Sequence, residues 1–374
     1  MNRRTQLRIS YRQLFKNIEE LLRTCPKNTI IPMIKANAYG HGDIEIFNFI
    51  RQNFSITQFG LASLEEALRI RKLTNSFAEE LIVFSDTLLY EQDAFIHYAN
   101  NKIIPVVSSV EDLNYFLSDD KTKHIPLYLK LNTGMNRLGV DEKEINQVIA
   151  LLKQNKRKKI HHLMTHFSSS SEKITEKSKT YLQYEMFKKI KDQFQQEGIE
   201  LADTSVANSG SIEQSFGLDE THIRPGLMIY GPSSLEADIR HTSCWKGSCI
   251  SQLQASVLQV NTVKKGCEIG YGNTICPKDG ELLIAGIGYG DGFSTGMSGL
   301  ELPIGKVNGQ VVGKVNMDMT SILLDGKPAC ARGEYINLWG NDKSSILSIS
   351  DQQGIIPYEI FCNLSQRVSR IYVN

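Results

Sequence analysis

The spacing of apolar residues changes near residue 235, and this change most limits the folds that the chain can adopt. Before it, short apolar runs alternate with segments of helical spacing, and the runs span 30–34, 59–62, 81–84, 103–107, 127–131, 160–167, 202–206 and 223–229. Such alternation is typical of a closed parallel (β/α)8 barrel, with a doubly wound open sheet as the alternative. After it, Leu253, Ala255 and Val257 alternate with polar residues, which indicates half-buried strands.

We therefore predict an α/β + β architecture, in which an N-terminal TIM-type barrel over residues 10–235 precedes a β-strand-rich domain over 236–374. A strand within residues 1–9 joins the second domain. A doubly wound sheet would not explain a separate β-rich part. The length of 374 residues agrees with two domains, because single cores usually stop growing at roughly 250–300 residues.

Local signals give more detailed predictions. Ser63 with Glu66, and Ser108 with Glu111, have the spacing of capping boxes at points where a strand should give way to a helix. The segment 307–310 has Asn-Gly at its centre, which predicts a two-residue hairpin turn with a strand on each side.

Composition excludes several classes of partner and compartment. The 42 basic and 41 acidic residues leave a net charge of +1, so we expect neither nucleic acid nor an anionic membrane as a partner. Seven cysteines without CxxC pairs indicate reduced thiols and no metal site. No apolar run reaches the ~20 residues of a membrane span, and the first residues lack an apolar signal core. We expect a cytoplasmic protein that binds a small molecule or a second copy of itself.

Reactive residues fall where the carboxyl ends of the predicted barrel strands meet. They are Lys35 after the first strand, Arg137 after the fifth, His166 at the end of the sixth, Asn208 and Ser209 after the seventh, and Arg224 and Gly226 on the eighth. Each alone would more often be a surface charge or a satisfied core group, but this rim is where such barrels carry their active sites. A lysine there can be a Schiff-base nucleophile, and small residues after the last two strands commonly bind phosphate.

Further motifs stand apart from this rim. Lys130 lies at the end of a buried strand, where an unpaired ammonium is costly, so it needs a partner or a modification. Tyr271 lies between two glycines, in what is either an ordinary turn or a phenol placed in a crowded site. The glycine-rich segment 286–292 fits neither nucleotide motif, and we reject nucleotide binding for it.

These motifs resemble the alanine racemase family in order and approximate spacing, over nearly the whole chain. The matching segments are residues 34–42, 130–139, 165–167, 207–209, 224–226, 270–272, 288–292 and 317–318. The resemblance implies an isomerase that interconverts L-alanine and D-alanine with pyridoxal 5'-phosphate, acts as a homodimer with shared active sites, and supplies D-alanine as a peptidoglycan precursor or takes part in alanine catabolism.

The resemblance also implies the catalytic residues. Lys35 holds the cofactor through a Schiff base and is the base on one face of the substrate's α-carbon, while Tyr271 of the partner subunit is the base on the other. A relay from the tyrosine through His166 to Arg224 favours the phenolate. Because arginine stays protonated, Arg224 leaves the cofactor's ring nitrogen largely unprotonated, which suppresses side reactions such as transamination.

Other residues receive binding roles by the same resemblance. The cofactor-binding residues are Lys35, Tyr39, Arg137, Asn208, Ser209, Arg224, Gly226 and Leu227, with the phosphate held by Tyr39, Ser209, Gly226 and Leu227. The substrate-binding residues are Arg137, Met317, Asp318, Tyr289 and Gln366, of which Tyr289 and Asp318 line the entrance from the second subunit. Lys130 matches a lysine that is often carbamylated in the family, where it orients Arg137.

Two departures from the family leave specificity open. Asn132 replaces the usual aspartate two residues after Lys130, and Gln366 stands where some members carry a tyrosine close to the substrate methyl group. An amide there predicts some turnover of serine, so an alanine/serine or broader racemase is an alternative. A non-catalytic pyridoxal-phosphate carrier would lack the β domain, and a decarboxylase of the same fold type would release carbon dioxide.

Overall fold

A computed structural model describes residues 3–85, 94–327, 330–340 and 345–374 of the chain. The strands are β1 (Thr5–Ser10), β2 (Thr29–Ile30), β3 (Gln58–Leu61), β4 (Glu80–Val83), β5 (Ile103–Val107), β6 (Tyr128–Asn132), β7 (Val140–Asp141), β8 (Lys159–Met164), β9 (Glu200–Ser205), β10 (His222–Ile223), β11 (Ser251–Val263), β12 (Glu268–Ile269), β13 (Thr274–Ile275), β14 (Gly280–Ala285), β15 (Glu301–Ile304), β16 (Val307–Val311), β17 (Thr320–Leu324), β18 (Tyr335–Trp339) and β19 (Ser369–Val373).

The helices complete the list of elements. They are α1 (Tyr11–Thr24), α2 (Lys35–Tyr39), α3 (Asp43–Asn53), α4 (Leu64–Thr74), α5 (Ala94–Asn100), α6 (Val110–Ser118), α7 (Ile145–Gln154), α8 (Lys179–Gln196), α9 (Ser209–Glu213), α10 (Leu227–Tyr230), α11 (Ile346–Gln353) and α12 (Pro357–Cys362). Among the described residues, no helix combines the length and the apolar character that a membrane span requires.

The first sheet is a parallel barrel. Its strands lie in the order β2, β10, β9, β8, β6, β5, β4, β3, and the short β7 pairs with β6 outside this path. A parallel bridge between Met33 and Gly60 joins the first and last members, with the Ile34 N–H donating to the Gly60 carbonyl at 2.9 Å. The predicted (β/α)8 barrel is therefore confirmed.

Three barrel strands are shorter than the sequence predicts, and the first of them, predicted over 30–34, ends at Ile30. The run 160–167 ends as a strand at Met164, and the run 223–229 ends at Ile223 and becomes α10 from Leu227 onward. Pro225 has no N–H to donate to a neighbouring strand, and the Gly226 N–H donates instead to Ser209 Oγ at 3.0 Å. The chain thus leaves the sheet early and frees the rim for functional side chains.

The second sheet is the predicted β-rich part. Its order is β15, β16, β17, β14, β11, β1, β19, and β18 also pairs with β11. The N-terminal β1 lies antiparallel to β11 and parallel to β19. Leu253, Ala255 and Val257 on β11 are buried, as their alternation predicts, and one hydrophobic cluster runs from the barrel into this sheet.

Two local predictions are wrong in position. The hairpin turn does not lie at Asn308-Gly309, because Ile304 pairs with Val307 and the chain turns at Gly305-Lys306, where Gly305 has a φ of +64°. Helix α6 is capped by Ser109, whose Oγ accepts the Asp112 N–H at 3.0 Å, rather than by Ser108. In α4 the Ser63 cap is present as predicted.

Candidate active site

One cavity at the carboxyl ends of the barrel strands collects most of the predicted site residues. Its volume is about 410 Å³, which lies within the range of small-molecule sites. The predicted residues that line it are Lys35, Tyr39, Lys130, Arg137, His166, Asn208, Ser209, Arg224 and Gly226. Lys130 lies within β6, Lys35 and Tyr39 lie in α2, Ser209 begins α9, and the others lie in loops.

Lys35 enters this cavity from an unusual backbone segment. The four residues that follow it in α2, Ala36 to Tyr39, are left-handed, with φ between 51° and 56°. Burial lowers the pKa of the Lys35 amine and the nearby Arg137 lowers it further, while Glu66 and Cys362 partly oppose these effects. The amine is therefore neutral, and able to attack a carbonyl group, at a lower pH than that of an ordinary lysine.

A small polar cradle lies beside this lysine. Ser209, at the start of α9, accepts the N–H groups of Gly226 at 3.0 Å and Met228 at 3.4 Å through its Oγ. A Cβ on Gly226 would lie 2.5 Å from the hydroxyl of Tyr39, so only glycine leaves this space open. Leu227 is buried and begins α10. The cradle can hold a compact group with several acceptor oxygens, such as phosphate.

Arg224 is a buried cation at the cavity wall. Its guanidinium donates to Ser205 Oγ and to the Thr165 carbonyl, which fix its plane. Burial lowers the pKa of Arg224 to about 10, so the side chain stays protonated near neutral pH. The pKa of His166 is well below its ordinary value, first because of burial and then because of the charge of Arg224, so its imidazole is neutral.

Lys130 is buried among cations. Its side-chain amine makes no hydrogen bond or ion pair with the described part of the chain, and burial, followed by the charges of Arg137, Arg224 and Lys35, lowers its pKa to about 7. Asn132 organises the turn between Lys130 and Arg137. Its Oδ1 accepts the Asn136 N–H at 2.9 Å, and its Nδ2 donates to Asp141 Oδ1 at 2.6 Å. The exposed Arg137 therefore lies at the end of a well-ordered turn.

Four further predicted residues line a second cavity, of about 550 Å³, on the β-rich part. Tyr271, Tyr289, Met317 and Asp318 line it, and none of them lines the barrel cavity. Tyr271 is 72% exposed and Met317 is 53% exposed. Asp318 pairs with Arg367 at 2.5 Å. Within one chain the predicted site residues thus line two separate cavities, and the second cavity presents the Tyr271 phenol to solvent.

One predicted residue lines neither cavity within a single chain, and one residue that the sequence did not predict lines the barrel cavity. Gln366 is exposed and lines neither cavity. Tyr358, at the start of α12, lines the barrel cavity together with Cys362, and its ring lies 5.8 Å from that of Tyr39. The available signal was Pro357, which marks the beginning of a helix and so places Tyr358 in its first turn.

Comparison with known proteins covers the whole chain. A family model described as the alanine racemase N-terminal domain matches residues 9–234, and one described as the alanine racemase C-terminal domain matches residues 250–372. The alanine racemase of Haemophilus influenzae is 31% identical over 378 residues, which cover 98% of this chain and 98% of the relative.

Solved structures agree in fold. The alanine racemase of a D-cycloserine producing Streptomyces lavendulae has a TM-score of 0.89 and 20% identity, covering 100% of this chain and 98% of its own. The alanine racemase of Bartonella henselae, solved with covalently bound pyridoxal phosphate, has a TM-score of 0.86 and 24% identity, covering 99% of each chain. Because the two family models together match almost every residue, this chain belongs to the alanine racemase family.

Proposed function

We propose that this chain is a pyridoxal-phosphate-dependent isomerase that interconverts L-alanine and D-alanine by a two-base mechanism. The observation that carries the proposal is the shared cavity of Lys35, the Ser209–Gly226 cradle and the buried Arg224. Relatives with this fold are named alanine racemases, including the Haemophilus influenzae protein. We further propose a cytoplasmic enzyme that supplies D-alanine as a peptidoglycan precursor, and its seven free cysteines support that compartment.

The residues present fit pyridoxal phosphate. The Lys35 amine has the lowered pKa that carbonyl attack requires, and the space beside Tyr39 that a Cβ on Gly226 would fill is left open. Tyr39, Asn208, Ser209, Gly226 and Leu227 would hold the phosphate end of the cofactor. When bound, pyridoxal phosphate withdraws electrons from the α-carbon of an amino acid and so acidifies its α-hydrogen.

Two bases invert the α-carbon. Lys35 Nζ takes or returns a proton on one face, and the Tyr271 hydroxyl does the same on the other. A free phenol, with a pKa of about 10, is a weak base near neutrality. His166 is neutral and can accept a hydrogen bond from the phenol, while the protonated Arg224 behind it favours the phenolate.

Arg224 would have a second role, as the neighbour of the ring nitrogen of bound pyridoxal phosphate. Because the guanidinium does not release its protons near neutral pH, it would not protonate that nitrogen. A cofactor ring with an unprotonated nitrogen would withdraw electrons more weakly. Removal of the α-proton would still be possible, and transamination would be suppressed. Arg137 and the Met317 N–H bind the substrate carboxylate.

Tyr271 must then come from a second copy of the chain, since it lies outside the barrel cavity of its own. We propose a head-to-tail homodimer in which Tyr271 and Met317 complete the partner's site, with Tyr289 and Asp318 at the entrance. The exposure of Tyr271, Tyr289, Met317 and Met319 supports this, because large apolar groups that are exposed together mark an interaction surface.

Alanine is the preferred substrate, and serine is expected to be poor. The expectation of serine turnover depended on Gln366, which is exposed within one chain, whereas Tyr358 lines the barrel cavity. Tyr358 is half-buried and lines the same cavity as Lys35, so its ring limits the room for a substrate side chain and favours a small one. A broader specificity is therefore not favoured.

Incubation with each L-amino acid in deuterated water tests the reaction. L-Alanine should yield D-alanine that carries deuterium at the α-carbon, without release of carbon dioxide. Tyr271→Phe should lower the inversion rate at least about a hundredfold, because one acid–base group is lost. Exchange without inversion in the unsubstituted enzyme contradicts Tyr271 as the opposing base. Carbon dioxide release indicates a decarboxylase, and no turnover of any amino acid indicates a carrier.

A further inference from the structure

The backbone of the segment after Lys35 is strained, and contacts with neighbouring residues must stabilise it. Four consecutive non-glycine residues, Ala36 to Tyr39, adopt φ values of 51–56°. A left-handed conformation costs roughly 1–2 kcal/mol for each L-residue, so such a run persists only where neighbouring groups fix it. The position of Lys35 depends on whatever fixes this turn.

Glu66 makes the contact closest to the lysine. Its Oε1 accepts the Ala36 N–H at 2.7 Å, and its Oε2 accepts the Ala62 N–H at 2.8 Å. Ala36 follows Lys35 directly, and Ala62 follows β3 directly. One carboxylate thus joins the ends of the first two barrel segments, using both of its oxygens.

Helix α4 holds this carboxylate in place. Glu66 lies in its first turn, where Ser63 Oγ accepts the Glu66 N–H at 3.4 Å. One turn further on, Arg69 pairs with Asp43 and donates to Asn37 Oδ1 at 3.4 Å, and the same Oδ1 accepts the Asp43 N–H at 3.1 Å. The start of the strained turn is therefore fixed by Glu66, and its following residues by Asn37 and Arg69.

The charge of Glu66 opposes that of its neighbours. The groups that act on the Lys35 amine are Arg137 and Glu66 together with the Cys362 thiol, and Lys130 and His166 face it across the cavity. Arg137 makes protonation of the amine less favourable, and Glu66 makes it more favourable. Among the described groups that act on Lys35, Glu66 is the carboxylate.

We propose that Glu66 is a positioning residue for Lys35, which fixes the left-handed turn through the Ala36 N–H and sets the basicity of the amine through its charge. This rests on the proposed function only in that Lys35 is taken as the functional amine. Glu66 itself touches neither substrate nor cofactor in this scheme. It acts on the reaction through the lysine.

The test separates charge from hydrogen bonding. Glu66→Gln removes the charge, Glu66→Asp keeps it on a side chain too short to reach both N–H groups, and Glu65→Gln is the matched control on the exposed side of α4. Competitive acetylation of each cofactor-free protein between pH 6 and 11, read by mass spectrometry on the Lys35 peptide, gives the pKa of that amine directly.

Glu66→Gln should lower the pKa of Lys35 by about one unit, because the negative charge of Glu66 raises that pKa. Glu65→Gln should leave it within about 0.3 units, because an exposed charge is screened. Glu66→Asp should keep it near the unsubstituted value while cofactor dissociates about tenfold faster, because the turn is loosened. An unchanged pKa in Glu66→Gln overturns the proposal.

Hydrogen exchange in the unsubstituted protein gives a measurement that needs no variant. Ala36 is exposed, so its amide should exchange at least about tenfold more slowly than an unprotected one only if Glu66 holds it. Exchange at the unprotected rate overturns the proposal. A shifted pKa in a protein that racemises nothing would leave Glu66 in this role and remove the proposed function, so the two failures are distinguishable.

Discussion

Gly226 shows how a single hydrogen atom in place of a side chain can decide cofactor binding. A Cβ there would lie 2.5 Å from the Tyr39 hydroxyl and 3.2 Å from its Cζ. Its φ of −114° and ψ of −90° lie outside the regions that alanine prefers, so Gly226→Ala should also lose some stability, which thermal unfolding measures. We expect its affinity for pyridoxal phosphate to fall at least about tenfold, or ~1.4 kcal/mol, measured by cofactor titration of the cofactor-free protein.

Gly326→Ala is the control for this substitution, because its nearest neighbour is the tip of Val307 at 3.2 Å, in the β-rich part of the chain. It should bind the cofactor as the unsubstituted protein does. Equal affinities for the two variants would show that the space beside Tyr39 is not used by the cofactor.

Lys130 is a buried amine among cations, so its charge must be removed or neutralised. With a pKa of about 7, about half of these amines are neutral at neutral pH, and only a neutral amine can add carbon dioxide. We expect a carbamate on Lys130: its Nζ bonds to the carbon and loses a proton, which yields an anion facing Arg137. Native mass spectrometry in bicarbonate should show the added mass of one carbon dioxide.

Lys130→Arg serves as the matched variant, since a guanidinium keeps the positive charge and cannot be carbamylated. Its mass should be the same with and without bicarbonate. If the unsubstituted protein also shows no added mass at neutral pH, Lys130 remains an amine and the carbamate is excluded.

Elements with a clear period were predictable, and elements set by tertiary contacts were not. The apolar runs and their alternation predicted the barrel, and the period of two predicted β11. The turn at Gly305-Lys306 was missed because Asn308-Gly309 carries the stronger local signal, yet Ile322 packs where a side chain on Gly309 would lie, which keeps that pair inside β16. Tertiary pairing overrode local turn preference.

The residues of the candidate site fall into the same two groups, namely those that the sequence predicted and those that depend on tertiary contacts. The rim residues followed from strand order alone, because parallel strands bring their carboxyl ends together. The left-handed turn after Lys35 could not be predicted, since Asn37 alone among Ala36 to Tyr39 favours positive φ and the stabilising groups come from α3 and α4. Tyr358 was missed because α12 reaches the cavity from the β-rich half of the chain.

His41 joins these two halves and should make stability depend on pH. It follows the left-handed turn, and its imidazole contacts Ser251 Oγ at 2.9 Å and the Ala38 carbonyl at 3.1 Å. Burial lowers its pKa from 6.5 to about 4. Between these values the unfolded chain binds a proton that the folded chain does not, so the free energy of unfolding should fall as pH falls from 6.5 to 4.

The contribution of His41 is roughly 3 kcal/mol over that range, fully present above pH 6.5. Urea unfolding of His41→Gln at several pH values should give a shallower pH dependence than the unsubstituted protein. His124→Gln, at an exposed histidine, should not change it. Parallel curves for His41→Gln and the unsubstituted protein would remove His41 as a source of acid sensitivity.

At the scale of the whole molecule, we propose that two cavities of the chain are incomplete halves of one site. The barrel cavity holds Lys35, His166 and Arg224, whereas Tyr271 and Met317 lie in a separate cavity on the β-rich part. One hydrophobic cluster connects the barrel to the second sheet, so the two cavities are held apart by the same core that folds the chain. A second copy placed head to tail brings each half to its complement.

Mixing two inactive variants tests this arrangement. Lys35→Ala lacks one base and Tyr271→Phe lacks the other, so each homodimer should be inactive. In a head-to-tail heterodimer one site carries both lesions and the other carries none. Random reassembly makes half of the dimers mixed, so the mixture should recover about a quarter of the unsubstituted activity. If Tyr271 instead served the cavity of its own chain, every site would retain one lesion and refolding the variants together would restore nothing.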